Sequence, residues 1–431
     1  MEKSSFTIQD IIILLACVLI MGTTMGVVNV VLSIFYPIVA PDLEVSRASF
    51  ALTGTITALS AMVAALFWGF FYSAKPLQKP MILSIIIFGL CFFGLQAARN
   101  LTYFYALAFL IGITYGGISI IPVSIIITRH FTTNTGFALS AALAGSGLGA
   151  MILNPIINTI INGAGWRVGY LLIAIVIFVI TLPCAFLVTH LTKTEIQSNP
   201  KASPRSPKVE RRASLKQAWL WAFLAAAFLS GLTGGGVLAN LPTYMKDLNF
   251  SVSRISVVTS AYAASLVFGK ILLGFFYDRL GAKKATLISG LLMTLSLGLM
   301  IFIDSTIMLI LMLVFIGIGL SIGTVSITWL TNHFFGKEEY SKYYGTVQFA
   351  NSLGIAVGVP VIAAGLENLE NPTLLWIVIT ALSLVMVSLF VVSIRANQKM
   401  KASTINLDRV IRKTLPEEDE TLIFLEESAQ T

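Results

Sequence analysis

The chain has 431 residues, of which 56% are hydrophobic and only 11% are charged. An ordinary soluble domain carries about 25% charged residues, so this composition excludes one. The net charge of +8 does not indicate a nucleic-acid partner, because Lys and Arg collect in the loops of membrane proteins.

Twelve apolar runs predict an all-α membrane protein, because about 20 apolar residues in a helix span a bilayer. A polar segment at 191–217, rich in Pro, Lys and Arg, divides them. We interpret it as a flexible cytoplasmic linker between an N-terminal six-helix bundle (1–190) and a C-terminal one (218–395). We expect residues 396–431 to form a tail without regular structure. The predicted helices cover residues 11–35, 48–71, 80–98, 102–128, 135–160, 168–190, 218–244, 254–276, 284–303, 306–332, 342–365 and 373–395.

The distribution of basic residues predicts the orientation in the cell membrane. With the N-terminus inside, cytoplasmic segments hold 22 of the 28 Lys and Arg residues and external loops hold five. This asymmetry predicts that both termini are cytoplasmic. The three cysteines lie within apolar runs, and we therefore expect packing roles, with no disulfide and no metal site.

The two predicted halves carry a repeat. Gly-Phe-Phe-Tyr at 69–72 recurs at 274–277, and Ile-Gly-Ile at 111–113 recurs at 316–318. The shared offset indicates an internal duplication, and parallel six-helix halves around a central site are typical of secondary transporters. GxxxG spacings, which let helix backbones approach closely, occur at Gly22/Gly26, Gly112/Gly116, Gly145/Gly149, Gly231/Gly235, Gly319/Gly323 and Gly354/Gly358.

Lys270 lies inside an apolar run. A charge in such a segment indicates a functional site. The alternative is a lysine that extends its ammonium to the membrane interface, but Asp278, at the polar turn, is about 12 Å further along the helix at 1.5 Å per residue. We favour a cavity role, in which the ammonium is a point charge for a monovalent organic anion.

Uncharged polar side chains at similar predicted depth are further candidates. For each of them, the alternative is an interhelical hydrogen bond. The substrate-binding candidates besides Lys270 are Asn351, Tyr262, Gln348, Tyr115 and Asn29, and weaker ones are Asn154, Asn240, Ser265 and Trp329. The acidic residues lie in loops, termini or helix ends, and His130, His190 and His333 lie at helix ends, where we expect solvated or capping roles. A proton relay in the middle of the membrane is therefore not predicted.

The run Gly274-Phe-Phe-Tyr-Asp278-Arg279-Leu-Gly281-Ala-Lys283-Lys284 resembles the loop signature of the major facilitator superfamily. The resemblance implies that family's fold of twelve helices in two pseudo-symmetric halves. It also implies a latch in which Asp278 meets the start of predicted helix 5, near Gly136 and Arg129, where free backbone amides favour a carboxylate. The equivalent loop of the first half carries Ser73 instead of an acid, so we expect the latch on one side.

Within that superfamily, the chain looks most like the monocarboxylate and oxalate–formate antiporter group. The pattern runs from Arg129-His130-Phe131 through Gly136-Phe137-Ala138 to Gly165-Trp166-Arg167. Lys270 stands where that group carries a substrate-binding Arg. Asn351 and Pro37 stand where some members carry Lys, which disfavours a dicarboxylate substrate.

These features predict a secondary transporter that moves a small organic anion, such as a monocarboxylate, by alternating access. A proton or a counter-anion is the expected co-substrate, and uniport stays open. The alternatives are a multidrug or amphiphile exporter of the same superfamily and a membrane sensor without transport. An enzyme is not predicted, since the sequence offers no HExxH motif and no paired carboxylates within an apolar run. We expect a monomer without cofactor.

Overall fold

The computed structural model describes residues 7–74, 76–131, 133–198, 218–369 and 371–414. This part of the chain forms helices and no strand. Eleven segments are long and apolar enough to cross a membrane. They are α1 (Ile8–Phe35), α2 (Ser49–Ser73), α3 (Gln78–Gln96), α4 (Leu101–His130), α5 (Thr135–Ala164), α6 (Trp166–Thr192), α7 (Ala218–Asp247), a joint segment Val257–Phe302 that contains α8 and α9, α10 (Thr306–Lys337), α11 (Glu339–Asn368) and α12 (Pro372–Met400).

The joint segment Val257–Phe302 is two membrane helices. Its 46 residues would extend about 69 Å at 1.5 Å per residue, more than twice the thickness of a bilayer core. The backbone turns at Gly281, where φ is 75° and ψ is 172°, a conformation that glycine adopts without strain. Gly281 therefore separates α8, which precedes it, from α9, which follows it. Gly336 makes the same turn (φ 71°, ψ 177°) between α10 and α11. The predicted count of twelve helices is therefore confirmed.

Two predicted helix ends lie too early in the chain. The helical backbone of α6 continues beyond the apolar segment to Ser198, past the predicted end at 190. The backbone of α12 continues in the same way to Thr414, past the predicted end at 395. The expectation of an unstructured tail is therefore wrong for residues 396–414. Apolar content marks where a helix leaves the membrane, but the Ala, Lys, Gln and Arg residues that follow are good helix formers in water. Residues 199–217 and 415–431 of the predicted linker and tail lie outside the described residues.

Backbone contacts at glycine join α1 to α5 in the first half. A Cβ atom on Gly26 would lie 2.6 Å from the Ser146 carbonyl oxygen, and one on Gly149 would lie 2.3 Å from the Cα atom of Gly22. Larger side chains would force these helices apart. The GxxxG spacings of α1 and α5 are therefore sites of direct helix contact.

The second half repeats this contact between α7 and α11. A Cβ atom on Gly231 would lie 2.0 Å from the Asn351 carbonyl oxygen, and one on Gly358 would lie 2.4 Å from that of Leu232. Gly22, Gly26 and Gly149 of the first half are matched by Gly231, Gly235 and Gly358, each 209 residues later. The duplication therefore extends from sequence to packing.

Helices of both halves are interrupted at matched positions. A π-helical turn occupies Gly22–Gly26 in α1 and another occupies Gly231–Gly235 in α7. The helical dihedral angles break at Ser119 in α4 (φ −97°, ψ −120°) and at Thr324 in α10 (φ −121°, ψ −62°). Interruptions of this kind in membrane helices are tolerated where they are buried in protein or line a cavity.

The apolar core is continuous through both halves. Buried side chains from Ile13 in α1 to Ile394 in α12 form one cluster. Large apolar side chains on the outer faces, such as Phe67 and Phe268, are exposed, as suits contact with lipid.

Candidate functional site

Asp278 caps a helix of the opposite half. One carboxylate oxygen accepts the backbone N–H of Gly136 at 2.8 Å, and the other accepts that of Phe137 at 2.7 Å. These amides belong to the first turn of α5, where backbone N–H groups have no partner within the helix and the helix dipole favours an anion. The carboxylate therefore lies where the resemblance placed it. We call this end of the bundle the Asp278 end, and the other the far end.

Arg129 contributes to this end through its backbone. Its carbonyl oxygen accepts a hydrogen bond from Lys337 Nζ at 3.1 Å, which joins α4 of the first half to α10 of the second. In the described part of the chain, no ion pair joins the exposed Arg129 side chain to Asp278. The hydrogen bond from Lys337 was not predicted, because the repeat that relates α4 to α10 does not show that the ends of these two helices lie side by side.

Of the other residues of the loop signature, Gly274 serves the close approach of the two halves. A Cβ atom on Gly274 would lie 2.4 Å from the Gly136 carbonyl oxygen, so glycine is needed there. The guanidinium of Arg279 lies 5.2 Å from the centre of the Phe275 ring, and Lys283 and Lys284 are exposed.

A second glycine pair closes the Asp278 end on the other side of the bundle. A Cβ atom on Gly69 in α2 would lie 2.9 Å from the Cα atom of Gly345 in α11. Gly69 is the repeat equivalent of Gly274, and Gly345 that of Gly136. The α2–α11 and α5–α8 interfaces are therefore equivalent contacts between the halves, and Asp278 reinforces one of them.

Lys270 reaches across the interface between the halves. Its ammonium donates to the Leu143 carbonyl oxygen at 3.3 Å and to Ser146 Oγ at 3.2 Å, both in α5. None of the ion pairs that join described residues includes Lys270. A lysine ammonium has three N–H donors, so one donor remains for a ligand. The cation predicted from the sequence therefore lies between the halves without a carboxylate partner in the described structure.

Tyr262 lies on α8, two turns before Lys270. Its side chain is buried, and its hydroxyl has no hydrogen-bond partner among the described residues. Ser265, also predicted, donates to the Tyr262 carbonyl oxygen at 2.8 Å. The structure does not bring the Tyr262 hydroxyl into hydrogen-bond contact with Lys270.

Two predicted asparagines join helices within the second half. Asn351 donates to the Ala227 carbonyl oxygen at 3.1 Å and to Ser230 Oγ at 2.9 Å, both in α7. Asn240 donates to the Val359 carbonyl oxygen of α11 at 3.0 Å. For both residues, the observed contacts are interhelical hydrogen bonds, which were the alternative to a role in substrate binding. Position in the sequence could not distinguish the two roles, because a buried amide serves either.

Several other polar candidates meet at the level of the interrupted helices. The Tyr115 hydroxyl lies beside the side chains of Asn29 and Ser119. Across the interface, the Tyr344 hydroxyl lies 3.0 Å from Thr328 Oγ1 and donates to Gln348 Oε1 at 3.5 Å. Tyr115 and Tyr344 are within electrostatic range of one another. We call this group the central polar cluster; it consists of Asn29, Tyr115, Ser119, Thr328, Tyr344 and Gln348.

The sequence predictions included Asn29, Tyr115 and Gln348 but missed the other three members of the cluster. Tyr344 lies four residues before Gln348, the spacing that places two side chains on one face of a helix. That spacing could have identified it. Ser119 and Thr328 carried no such signal.

Of the two roles expected for His130, solvated or capping, the solvated one is wrong. The Nε2 atom of His130 lies 2.6 Å from a carboxylate oxygen of Asp10, and the His130 side chain is only 5% exposed. The start of α1 and the end of α4 lie side by side at the Asp278 end, which brings the two groups together. His333 stacks on Trp329 with ring centres 5.0 Å apart, and Trp329 stacks on Tyr277 at 4.6 Å.

One run in α10 has the spacing of a serine nucleophile motif. Gly319-Leu-Ser321-Ile-Gly323 matches G-x-S-x-G, which in hydrolases lies on a sharp turn between a strand and a helix. Here Ser321 is buried within a membrane helix, and its hydroxyl donates to the Gly317 carbonyl oxygen at 2.7 Å. The run therefore lacks the context of a nucleophile.

Two pseudo-symmetric bundles of six membrane helices that meet around a polar centre define the class of a membrane transporter, not an enzyme. The chain belongs to the Major Facilitator Superfamily, whose family model matches residues 12–253 and 223–417. The resemblance to this superfamily is thereby confirmed.

Curated relatives are similar at low identity. An uncharacterized MFS-type transporter, YcxA of Bacillus subtilis, is 25% identical over 58% of this chain and 60% of its own length. A multi-drug resistance efflux pump PmrA homolog of Lactococcus lactis is 23% identical over 70% of this chain and 75% of its own. A cis,cis-muconate transport protein of Acinetobacter baylyi is 22% identical over 68% and 73%. The chain thus spans less than two thirds of the first of these relatives.

Human monocarboxylate transporter 11 is 31% identical, but over only 26% of this chain and 22% of its own length. Membership of the monocarboxylate group therefore stays a prediction. Among solved structures, the proton:xylose symporter XylE is similar with a TM-score of 0.64 at 14% identity, over 89% of this chain and 94% of XylE. The human organic anion transporter MFSD10 has a TM-score of 0.63 at 14% identity, over 88% and 98%. These likenesses show the fold.

Proposed function

We propose that the protein is a secondary transporter of a small organic anion, with Lys270 as the group that receives the anion's carboxylate. The two halves move alternately about the Lys270 level, and the Asp278 end, on the cytoplasmic side, is closed in this structure. A monocarboxylate is the favoured substrate.

The contacts of Lys270 carry this proposal. The ammonium lies within a membrane span and touches both halves through α8 and α5. A buried cation without a carboxylate partner is costly, and an anionic substrate would offset that cost. Of the similar proteins, the muconate transport protein and MFSD10 also have organic anions in their names.

The rival function is export of drugs or amphiphiles, which the name of the Lactococcus relative suggests. A cationic drug needs an acidic partner within the membrane. The Asp and Glu residues of this chain lie outside the middle of the predicted spans, and Lys270 would repel such a substrate. The geometry therefore favours an anion.

The test is uptake of a panel of labelled anions into proteoliposomes. Formate, pyruvate, lactate and muconate belong to the panel, together with a cationic dye. We expect anion uptake that falls at least tenfold in Lys270→Ala and is partly kept in Lys270→Arg. Lys79→Ala is the matched control, because Lys79 is exposed in the first turn of α3. Undiminished anion uptake by Lys270→Ala, or uptake of the dye alone, would contradict the proposal.

Two further measurements address coupling and orientation. Uptake with and without a pH gradient, and with substrate preloaded, separates proton symport from exchange and uniport. A cysteine placed at exposed Lys284 should react with a membrane-impermeant thiol reagent in inside-out vesicles and not in intact cells. The reverse pattern would place the Asp278 end outside.

A further inference from the structure

A groove on the outer surface of the first half runs between α3 and α6, and we call it the α3–α6 groove. It has a volume of about 380 Å³, and every residue that lines it is apolar. Its walls include the exposed Phe93 of α3 and the exposed Val179 of α6, and the buried Ala174 lies at its floor. Both helices are membrane spans, so the groove faces hydrocarbon. Its occupant in a membrane is therefore an apolar chain or another membrane helix.

The shape of the groove follows from a local change in α6. A π-helical turn occupies Ile177–Thr181, and such turns occur often at functional sites. Phe178 belongs to this turn, and a Cβ atom on Gly89 of α3 would lie 2.7 Å from its ring. Glycine therefore lets the Phe178 ring pack against the α3 backbone. Its neighbours Ile175 and Val179 remain exposed at the surface and form the α6 wall.

A basic side chain lies where this groove reaches the far end of the bundle. The residues at intervals of four along α6 are Arg167, Leu171, Ile175 and Val179. This spacing places each side chain beside the one before it. From Arg167 to Val179 the helix rises about 18 Å at 1.5 Å per residue. One leaflet contributes about 15 Å to a hydrocarbon core of about 30 Å. A lipid chain in the groove would therefore place its headgroup at the level of Arg167.

The guanidinium of Arg167 has donors left for such a headgroup. Nη1 donates to a carboxylate oxygen of Asp42 at 3.3 Å, and the two side chains are 50% and 47% exposed. An ion pair this exposed contributes little to stability. The same carboxylate oxygen accepts the Trp166 indole N–H at 2.8 Å, so Asp42 does not depend on Arg167. A guanidinium has five N–H donors in a planar fork, which matches a phosphate. Arg99, exposed after the end of α3, is a second cation at this membrane boundary.

We infer that the α3–α6 groove binds one acyl chain of an anionic phospholipid, whose phosphate binds Arg167. The apolar lining matches the chain, the length of the groove matches one leaflet, and the guanidinium matches the phosphate. A zwitterionic phospholipid has the same chains, but its cationic group would be repelled by Arg167 and Arg99. A helix from a second copy of the protein could fill the groove but would bring no phosphate to Arg167. This lipid site is independent of Lys270 and of the transported substrate.

The test is native mass spectrometry of the purified protein in detergent, titrated with phosphatidylglycerol or phosphatidylcholine that have identical acyl chains. We expect the first phosphatidylglycerol to bind about tenfold more tightly than the first phosphatidylcholine, because charge-assisted hydrogen bonds are the stronger ones. Arg167→Gln should abolish this preference, and Arg167→Lys should keep part of it. Arg254→Gln is the matched control. The Arg254 guanidinium also lies on an aromatic ring, 4.1 Å from the centre of Phe250, but in the other half.

A second pair of variants tests the position of the lipid. Ala174→Phe fills the floor of the groove, whereas Ala381→Phe adds the same ring at an exposed position of α12. A phosphatidylglycerol with a diazirine in its acyl chain should label peptides of α3 and α6 in the wild type and in Ala381→Phe. This labelling should be lost in Ala174→Phe. Melting temperatures of the purified variants show whether each one folds, and Arg167→Gln keeps the inference testable if Ala174→Phe does not.

Three outcomes would overturn the inference. The first is equal affinity for the two lipids in the wild type, or a preference that Arg167→Gln leaves unchanged. The second is photolabelling spread evenly over the outer helices. The third is a dimer that dissociates in Ala174→Phe, which would show that a second copy of the chain fills the groove. Each of these outcomes leaves the anion-transport proposal intact.

Discussion

Lys270 Nζ lies 3.2 Å from Ser146 Oγ, so a cation of the second half is held by a helix of the first. The same ammonium is the proposed receptor for the substrate's carboxylate. A substrate that binds Lys270 would therefore compete with a contact that links the halves. Substrate binding and separation of the two halves are then coupled through the Lys270 side chain.

Ser146→Ala removes one side of this link and keeps the charge. A hydrogen bond to a charged group contributes about 1.5 kcal/mol, so we expect the open population at the Asp278 end to rise about tenfold. The rate at which a thiol reagent labels a cysteine at Phe137 measures this population. Ser388→Ala is the control, because the Ser388 hydroxyl bonds within its own helix. Equal labelling rates in both variants would mean that the Lys270–Ser146 contact does not hold the halves.

Asp278→Asn should weaken closure of the Asp278 end. An amide has one oxygen, so one of the N–H groups of Gly136 and Phe137 loses its acceptor, and the charge that favours the start of α5 is lost. We expect a loss of about 1–2 kcal/mol in the closed state. Spin labels across the α5–α8 interface would show a larger share of long distances. The control is Asp247→Asn, at an exposed residue of the far end, and the same shift there would exclude a specific cap.

Gly345→Val should prevent the α2–α11 interface from closing. Even a Cβ atom at Gly345 would lie 2.4 Å from the Ala65 carbonyl oxygen, which belongs to the other half. We expect a folded protein that is trapped open at the Asp278 end and transports at least tenfold more slowly. At Gly163, a Cβ atom meets nothing within 4 Å, so Gly163→Val is the matched control. If Gly345→Val transports at the wild-type rate, the close α2–α11 contact is not required for transport.

Asn351→Ala should change stability and leave substrate affinity unaltered. The carboxamide joins α11 to α7 through Ala227 and Ser230, and interhelical hydrogen bonds in membranes contribute about 0.6–1.7 kcal/mol each. We expect a lower melting temperature of the purified protein and an unchanged KM for the transported anion. A raised KM at unchanged stability would restore Asn351 as a substrate ligand, the role predicted from its position in the sequence.

Particular residues show how far the sequence reaches into the site. Lys270 was identifiable because a charge in an apolar run is costly wherever the helix packs. Asp278 and the start of α5 were connected through a resemblance, and the observed bonds to Gly136 and Phe137 agree with that placement. By contrast, the His130–Asp10 pair, the Lys337–Arg129 bond and the role of Thr328 were not predicted. Each depends on which helices become neighbours, and no local pattern encodes that.

The loop signature around Asp278, the apolar runs and the repeat were sufficient to determine a twelve-helix transporter of the Major Facilitator Superfamily. They reflect local requirements: enough apolar length to cross a bilayer, and glycine where a turn or a close contact needs it. The tertiary structure alone decided which polar groups are used for packing and which remain available at the centre. Asn351 is bound to α7, whereas Lys270 keeps a free donor, and that difference arises from contacts between helices distant in the chain.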